Sequence, residues 1–305
     1  MVLTSFSQLE EMVKGFSDAR SMAVAVAADA HTLEAVMAAR AEGLVRPVLV
    51  GDKAKIREIL AEMGETVPDE DVYDEPEEVA ACEKAVALVR EGKASFLMKG
   101  RVDTKVILKA VVNKEHGLGI PGAIMSHVTL FEVPAYHKIL APVDGGMVTY
   151  PTLEQKKGII ENTVAVLHTL GYECPKVGIL ACAEKVNPKM PETLDAQELA
   201  EMNRRGEIAG CIVDGPISFD CAIDKSLADF KGYESPVAGD CDILLAPNIH
   251  AGNIMGKMLV CFSGAKMAGF IAGARCPIVL TSRGSSAEEK RLSIVLAAAA
   301  SGAEG

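Results

Sequence analysis

Short apolar runs alternate with longer amphipathic segments through most of this 305-residue chain. The run 22–28 (MAVAVAA) is apolar at every position, and the segment 31–42 that follows has helical spacing and ends before Gly43. Continuous apolar strands are typical of a parallel sheet covered on both faces, because a half-exposed strand would alternate polar and apolar residues. The pattern therefore predicts an α/β protein.

The same alternation predicts the remaining elements. Further strands are expected at 47–50, 95–98, 123–133, 177–182, 209–213, 242–246 and 277–281. Further helices are expected at 53–63, 82–91, 103–114, 152–170, 196–205, from about 253, and at 286–300. The acidic segment 65–78 contains two prolines and is expected to form an exposed connection. Since a chain of this length exceeds the usual size of one core, we expect two compact units, with the boundary near 123–150.

Composition narrows the possible functions. The formal net charge is −11, which argues against an extended nucleic-acid interface, although a local positive pocket for small anions is compatible with it. The eight cysteines include no C-x-x-C pair and are expected to be reduced thiols. The chain shows neither a signal-peptide pattern nor a long uncharged apolar run, so we expect a cytoplasmic protein that does not span a membrane.

The strongest local signal for a binding site is the segment 277–289 (PIVLTSRGSSAEE). A buried strand here ends in a small-residue turn that leads directly into a helix, and ligands bind at this end of the strands in open α/β sheets. The free N–H groups of the helix start, the guanidinium of Arg283 and the hydroxyls of Ser282 and Ser285 would together bind phosphate. The alternative to a phosphate site is that these residues only cap the helix, because two Ser-x-x-Glu capping patterns occur here. Capping, however, would not require Arg283.

The segment 246–257 (APNIHAGNIMGK) is a second strand-to-helix junction. Gly252 permits close backbone approach, Asn253 can cap the helix, and Lys257 lies about one turn further along. The segment does not match the phosphate-loop pattern, so a nucleotide triphosphatase is not supported. A capped surface helix with a solvated lysine is an equal alternative.

The segment 98–104 (MKGRVDT) is a third such junction. It places Lys99 and Arg101 at a strand end, where they could meet an anionic ligand, and it places Asp103 at a helix start. Scattered surface lysines and arginines are the ordinary alternative.

Other motifs have structural interpretations. The G-x-G-x-x-G at 117–122 follows a helix and precedes a strand, the reverse of the order in dinucleotide-binding folds. The six histidines show no metal-ligand spacing, so no metal site is predicted. His127 and His137 are expected to be structural, and Asp220 is expected to be a helix N-cap.

Taken together, several segments resemble the phosphate acetyl/butyryltransferase family, and more closely its butyryl branch. The resemblance extends from about residue 95 to the end of the chain. The matching segments are 98–103 (MKGRVD), 125–134 (MSHVTLFEVP), 186–191 (VNPKMP), 210–220 (GCIVDGPISFD), 235–242 (SPVAGDCD), 247–253 (PNIHAGN) and 277–284 (PIVLTSRG).

The resemblance implies two α/β domains that flank a cleft, in the isopropylmalate dehydrogenase-like fold. The expected domains are 1–125 together with 276–305, and 126–275. It further implies a homodimer that converts acyl-CoA and phosphate into acyl phosphate and coenzyme A, most simply with butyryl-CoA. Coenzyme A is then a substrate, and neither a metal nor another cofactor is expected. Acetyl-CoA as the substrate, or a catalytically silent ligand-binding relative, are the alternatives.

The resemblance also implies roles for individual residues. Ser282 would hydrogen-bond the developing oxyanion, Arg283 would hold phosphate, and Glu289 takes the position of an aspartate base, with Glu288 beside it as an alternative. Lys257 and Lys266 are alternative replacements for a second family arginine. The implied substrate-binding residues are Lys99, Gly100, Ser126, Asp220, Gly252, Asn253, Lys257, Gly284 and Ser285.

The fold suggests one rival function, and the thiols suggest one alternative mechanism. An oxidoreductase would need a nucleotide site and usually clustered aspartates for a divalent metal, and the sequence shows neither pattern. A covalent acyl-cysteine route would need a thiol in an electropositive setting beside a base, and no cysteine has an obvious setting of that kind.

Overall fold

The structure is a computed structural model that describes residues 2–281 and 284–301. Eleven helices lie within these residues: α1 (Phe6–Lys14), α2 (Ala30–Ala41), α3 (Lys53–Glu62), α4 (Glu78–Arg90), α5 (Thr104–Val111), α6 (Leu153–Thr169), α7 (Pro191–Arg204), α8 (Phe219–Ile223), α9 (Lys225–Phe230), α10 (Ile249–Ser263) and α11 (Ala287–Ala300). The described strands are β1 (Arg20–Ala25), β2 (Val45–Gly51), β3 (Val72–Asp74), β4 (Phe96–Lys99), β5 (Ser126–Glu132), β6 (Ala141–Val143), β7 (Lys176–Leu180), β8 (Ile212–Ile217), β9 (Ile243–Leu245), β10 (Lys266–Ala272) and β11 (Ile278–Val279).

The chain forms two compact units. The terminal unit comprises Phe6–Ala123 and Ala268–Gly305, and the central unit comprises Met1–Ser5 and Ile124–Met267. The last strand and the last helix thus belong to the unit that contains β1 to β4. The sequence pattern alone did not decide this assignment, because an apolar strand and helix fit either core.

The sheet of the terminal unit has the strand order β3-β2-β1-β4-β11-β10. All pairs from β3 to β11 are parallel, whereas β10 is antiparallel to β11. Residues 22–25 of β1 are completely buried, as expected for a central parallel strand that is covered on both faces. The α/β prediction is confirmed for this unit.

Helix α11 is buried over most of its length, from Leu292 to Ala299. Its small and aliphatic side chains allow close packing in the core. At the solvent side Arg291 donates to Glu42 and to Glu10, which are both residues of the terminal unit. The last helix is therefore anchored by packing and by a branched ion pair.

The central unit contains a second, fully parallel sheet with the order β6-β9-β7-β8. The carboxyl ends of these four strands lead into the loops that begin at Asp144, Ala246, Ala181 and Ser218. Because parallel strands end at the same edge, these loops are neighbours along one edge of the sheet. Asp144 and Ser218 therefore lie along that edge.

Several sequence predictions were wrong in detail. The segment 65–78 is not only a connection, since it contains a short 3-10 helix and β3, which pairs with β2. The strands β6 and β10 had not been expected. Helix α7 begins at Pro191 rather than at 196, and β8 begins at Ile212 rather than at 209. A three-residue strand such as β6 carries little local signal, because pairing with a distant strand defines it.

Candidate functional site

Strand β11 pairs with β4 in the terminal sheet, and its carboxyl end lies at the carboxyl edge of that sheet. Ser282 and Arg283, the predicted catalytic pair, lie outside the described residues. Gly284 is exposed, and a Cβ atom on it would meet nothing within 4 Å, so packing does not demand glycine there. Helix α11 begins shortly after Gly284, and its N-cap is Ser286.

Glu289 is held in the first turn of α11. Its backbone N–H donates to Ser286 Oγ at 3.1 Å, and its Oε1 atom accepts a hydrogen bond from Ser285 Oγ at 2.6 Å. One half of the predicted Ser286–Glu289 capping box is therefore present, while the carboxylate points to Ser285. The structure brings together Ser285 and Glu289, two of the predicted site residues.

A polar cavity of about 480 Å³ lies at the carboxyl ends of β1, β4 and β11 in the terminal unit. Two predicted substrate-binding residues, Lys99 and Gly100, line it. Lys99 is buried, and its Nζ atom donates to the carbonyl groups of Gly100 and Val102 at 3.4 and 3.2 Å. The sequence placed Lys99 and Arg101 at a strand end, and the structure shows that both face one cavity. The complete lining is Asp29, His31, Thr32, Met98, Lys99, Gly100, Arg101, Thr281 and Lys290.

Gly100 allows the ends of β1 and β4 to approach closely. Its N–H donates to the Ala25 carbonyl at 2.8 Å, and the next N–H donates to the Val26 carbonyl at 3.1 Å. A Cβ atom on residue 100 would lie 2.3 Å from the Val26 oxygen, which is an impossible contact. Val26 itself has φ of 55°, a strained value for a β-branched residue. The packing alone therefore requires glycine at this position.

Asp144 organises the loop that follows β6 in the central unit. Its buried carboxylate accepts four backbone N–H groups: those of His127 at 2.9 Å, Gly146 at 2.7 Å, Met147 at 2.8 Å and Val148 at 3.3 Å. Hydrogen bonds to an ionised acceptor are stronger than neutral ones, so the carboxylate fixes this loop firmly. Asp144 was not predicted from the sequence, although Gly145 and Gly146 indicate a turn at this position.

Gly252 and Asn253 pack against this loop. A Cβ atom on Gly252 would lie 2.5 Å from the Asp144 carbonyl oxygen, and the Asn253 side chain donates to the Gly145 carbonyl at 3.0 Å. The prediction that Asn253 caps the helix is wrong. Helix α10 begins earlier, and Asn248 is its N-cap, accepting from the N–H groups of His250 and Ala251.

His127 lies against the same loop. Its Nδ1 atom would be 2.4 Å from a Cβ atom on Gly146, so the ring packs directly on the glycine. Burial lowers the pKa of His127, and the nearby negative charge of Asp144 opposes that shift. The imidazole is therefore neutral at pH 7.

Ser126 and Lys257, two predicted substrate-binding residues, have different surroundings. Ser126 is completely buried, and its Oγ atom accepts a hydrogen bond from Asn162 Nδ2 at 2.9 Å. Lys257 is exposed on α10 and makes no ion pair with any residue of 2–281 or 284–301. The role of each residue in substrate binding stays a prediction.

Asp220 belongs to a charged cluster at the carboxyl end of β8. It pairs with Lys231 at 2.7 Å, and the same ammonium pairs with Glu184 at 2.9 Å. Hydrogen bonds from Lys231 and then Ser218 lower the pKa of Asp220 to about 2. The prediction that Asp220 is an N-cap is wrong, since Ser218 precedes α8 and Asp220 lies in its first turn.

The same cluster contains Cys221, which together with Glu184 and Asp220 forms the one group within the described chain whose ligand atoms have a spacing that suits a metal. Lys231 already neutralises both of these carboxylates. A cation would have to displace its ammonium.

An apolar groove of about 890 Å³ runs along α10 in the central unit. Ile254, Met258 and Phe262 are spaced four residues apart and therefore share one face of the helix. Their exposed fractions are 58%, 54% and 86%, which is unusual for large apolar side chains. This groove was not predicted from the sequence. Its lining is Leu180, Ala181, Cys182, Met190, Glu192, Ser218, Phe219, Ala246, Pro247, Ala251, Ile254, Met255, Met258, Leu259, Phe262 and Ser263.

The structure thus groups the predicted residues by unit. In the terminal unit Lys99 and Gly100 share a cavity, and Ser285 contacts Glu289. In the central unit Gly252 and Asn253 contact the Asp144 loop, whereas Asp220 belongs to the Lys231 cluster. The residues that the sequence did not single out are Asp29, Thr32, Thr281, Lys290, Asp144 and Asn248.

Comparison with known proteins decides the family. The family model described as "Phosphate acetyl/butaryl transferase" matches residues 74–298. The chain belongs to this family. It is therefore an acyltransferase that exchanges an acyl group between coenzyme A and phosphate, and the recognition made from the sequence motifs is confirmed.

Individual members of the phosphate acetyl/butaryl transferase family are similar over nearly the whole chain. A phosphate butyryltransferase of Clostridium acetobutylicum is 43% identical over 301 residues, which cover 99% of each chain. A phosphate acetyltransferase of Thermotoga maritima is 42% identical, covering 95% of this chain and 98% of that protein. A solved branched-chain phosphotransacylase from Enterococcus faecalis matches with a TM-score of 0.81 and 32% identity, over 93% of this chain and 99% of that one.

In the part of the chain that the structure describes, no helix combines the length and the apolar character needed to cross a bilayer.

Proposed function

We propose that this acyltransferase acts on short-chain acyl-CoA with a preference for butyryl-CoA. The observation that carries the proposal is the 43% identity to a phosphate butyryltransferase over 99% of both chains. Acetyl-CoA is the second candidate, because a phosphate acetyltransferase is 42% identical over nearly the same length. One methylene changes discrimination by only about 1–3 kcal/mol, so neighbouring acyl chains are expected to react as well.

In the proposed reaction a phosphate oxygen attacks the thioester carbonyl. The new carbon–oxygen bond forms, the carbon–sulfur bond breaks, and the coenzyme A thiolate leaves and takes up the proton that the attacking hydrogen phosphate loses. Arg283 would hold the phosphate, and Ser282 would donate a hydrogen bond to the developing oxyanion. Holding two reactants in position can lower a barrier by about 7–11 kcal/mol, and one oxyanion donor adds about 3 kcal/mol.

Glu289 is proposed as the group that exchanges the proton with the sulfur. Its carboxylate already accepts a hydrogen bond from Ser285, which holds it in one orientation. Glu288, the adjacent residue, is the alternative. Substituting each glutamate in turn tests the assignment. If Glu289 is the base, Glu289→Gln should lower kcat far more than the control variant Glu288→Gln. Equal losses would remove the assignment.

The proposal includes the isopropylmalate dehydrogenase-like fold, with a cleft between the domains 1–125 plus 276–305 and 126–275. Two compact units support it, one with a fully parallel sheet and one whose sheet is parallel from β3 to β11. Further parts of the proposal are a cytoplasmic location and turnover without a metal or another cofactor. Full activity after exhaustive treatment with EDTA would support the last point, and loss that zinc or magnesium restores would overturn it.

A homodimer is also proposed, and the apolar groove along α10 supports it. A stripe of exposed apolar side chains on one helix is self-complementary when two copies meet about a twofold axis. Phe262→Glu should therefore convert the dimer into monomers in size-exclusion chromatography with light scattering. Val79→Glu, at a 57% exposed position of the terminal unit, is the matched control. If both variants remain dimers, the apolar face of α10 is not the dimer interface.

The central experiment measures thiol release from acyl-CoA with and without phosphate or arsenate. We expect phosphate-dependent release, with the highest kcat/KM for butyryl-CoA among acetyl-, propionyl-, butyryl- and branched acyl-CoA. Arg283→Ala should abolish turnover, whereas Arg90→Ala, at an exposed position, should not. Wild-type turnover in Arg283→Ala would remove Arg283 from the mechanism, and a wild-type protein without turnover would indicate a silent relative.

A further inference from the structure

Two of the free cysteines lie at the amino ends of neighbouring strands in the central unit. Cys174 comes two residues before β7, and Cys211 comes directly before β8. The two strands are parallel, with Lys176 and Ile212 as Cα partners, and the Ile212 N–H donates to the Pro175 carbonyl at 3.0 Å. Both cysteines therefore adjoin the same hydrogen bond between the strands.

The spacing of the strands suits a disulfide between these two residues. Neighbouring strands of a sheet lie about 4.7–4.9 Å apart, and the register places Cys211 beside Pro175. Because Cys174 directly precedes Pro175, it lies one residue away from that pairing. Disulfides join cysteines whose Cα atoms are about 4.4–6.8 Å apart, so this pair can close without a large movement of the backbone.

His168 contacts both segments that carry the cysteines. It lies in the last turn of α6, and its Nδ1–H donates to the Tyr172 carbonyl, two residues before Cys174, at 2.7 Å. Its other ring nitrogen packs on Gly210, the residue before Cys211, since a Cβ atom on this glycine would lie 2.7 Å from Nε2. One imidazole therefore fixes the two segments beside each other.

The two thiols differ in accessibility. Cys174 is exposed, whereas Cys211 has an exposed fraction of 8%. Burial raises the pKa of the Cys211 thiol to about 12, with smaller contributions from the negative charges of Cys174 and Glu161. An external reagent therefore meets Cys174 first, since a buried and protonated thiol is a poor nucleophile. Once Cys174 is part of a mixed disulfide it carries no charge, so its contribution to the pKa of Cys211 disappears.

We propose that Cys174 and Cys211 form a covalent modification site, which low-molecular-weight disulfides oxidise reversibly to an internal disulfide. In the first exchange the Cys174 sulfur attacks the reagent, a new S–S bond forms, and one reagent thiol leaves. In the second exchange the Cys211 sulfur attacks the Cys174 sulfur, and the other reagent thiol leaves. The reagent gains two electrons, the two cysteines lose them, and their two protons end on the released thiols.

The disulfide would join the amino ends of β7 and β8 and close a ring that contains β7 and α7. A cross-link of this kind restricts the unfolded chain, so oxidation should raise Tm by about 5 °C. Disulfides of proteins in a reducing compartment are usually transient, and a thiol reductant should reverse this one. The inference is independent of the proposed function, because neither exchange involves acyl transfer.

The test incubates the reduced full-length protein with oxidised glutathione and identifies the disulfides by mass spectrometry of unreduced peptides. Digestion with trypsin and Asp-N should give the peptide 158–176 linked to the peptide 206–213, and cleavage before Asp214 separates Cys211 from Cys221. Dithiothreitol should release the two peptides from each other. Thermal unfolding is measured before and after oxidation.

Variants separate the roles of the two thiols. Cys211→Ala should keep one glutathionyl group on Cys174, because no second thiol displaces it, and oxidation should then leave Tm unchanged. Cys174→Ala should leave Cys211 unmodified. The matched controls are Cys182→Ala and Cys261→Ala, which remove the other two exposed thiols and should retain the link.

The inference is overturned if Cys174 of the wild type keeps glutathione to the same extent as in Cys211→Ala, remains unmodified, or links to another cysteine. It is also overturned if oxidation raises Tm in Cys211→Ala as much as in the wild type. The readouts are peptide masses and Tm, so an absence of phosphate-dependent turnover would contradict the proposed function and leave this inference standing.

Discussion

The carboxylate of Asp144 accepts the backbone N–H of His127 at 2.9 Å, although the two residues are 17 positions apart. The same carboxylate accepts three more N–H groups from residues 146–148. One side chain therefore joins the start of β5 to the loop after β6, against which Gly252 and Asn253 pack.

Replacing Asp144 by asparagine should destabilise the protein by about 3 kcal/mol. The amide would keep one acceptor oxygen and would place an NH₂ group opposite backbone donors, which leaves buried N–H groups without partners. Urea unfolding measures the change. Asp18→Asn, at an exposed carboxylate, should change stability by less than about 0.5 kcal/mol, and a similar loss in both variants would contradict the role of Asp144.

Gly100→Ala should lower stability by about 1–3 kcal/mol. The added methyl group would lie 2.3 Å from the Val26 oxygen and 2.7 Å from the Ala25 oxygen, so the ends of β1 and β4 must separate. Thermal unfolding provides the measurement. Gly119→Ala is the control in the same unit, because its Cβ would approach nothing closer than 4.0 Å. An unchanged Tm in Gly100→Ala would show that the strand ends are not packed as described.

The pKa of His127 is lowered from its ordinary value of 6.5 by burial. Between that value and its lower pKa in the folded state, the unfolded chain binds more protons, so stability should fall as the pH falls below about 6.5. His127→Gln should reduce this dependence. The midpoint of urea unfolding, compared at pH 5.5 and 7.5 in both proteins, tests the prediction, and identical pH dependences would refute it.

Lys231→Met should raise the pKa of Asp220 from about 2 towards its ordinary value of 3.8, because the hydrogen bond from Lys231 is the largest cause of the shift. In the native protein the stabilisation from Asp220 is present above pH 3.8 and is lost as the pH falls towards 2. Carbon-13 NMR of the side-chain carboxyl measures the pKa. Lys225→Met, which removes only the pair with Asp229, should leave the pKa unchanged.

Elements with local hydrogen-bonding signals were predicted well. Asp103 and Ser286, which the sequence placed at helix starts, cap their helices. Asp29 and Asp52 also cap helices, and Thr152 forms a complete capping box, although no cap had been predicted at these three positions. Each cap joins atoms within three residues of one another, so the information lies in a few adjacent letters. The family motifs likewise identified the reaction, because they are short segments of fixed sequence.

The start of α10 shows where this local reasoning fails. Asn248 and Asn253 are chemically identical cap candidates, and both precede helix-forming residues. The structure caps the helix at Asn248 and uses Asn253 to hold the Gly145 carbonyl. A residue more than 100 positions away decides between them, and no local pattern contains that information.

The sequence by itself determined the alternation of strands and helices, the bounds of several helices to within one residue, and the family of the enzyme. Only the tertiary structure decided that Asp144 organises a loop, that Gly100 allows two strand ends to meet, and that three cations face one cavity. The physical reason is how far apart in the sequence the interacting residues lie. Propensity and capping act within a few residues, whereas buried charges and close backbone contacts depend on which distant segments the fold brings together.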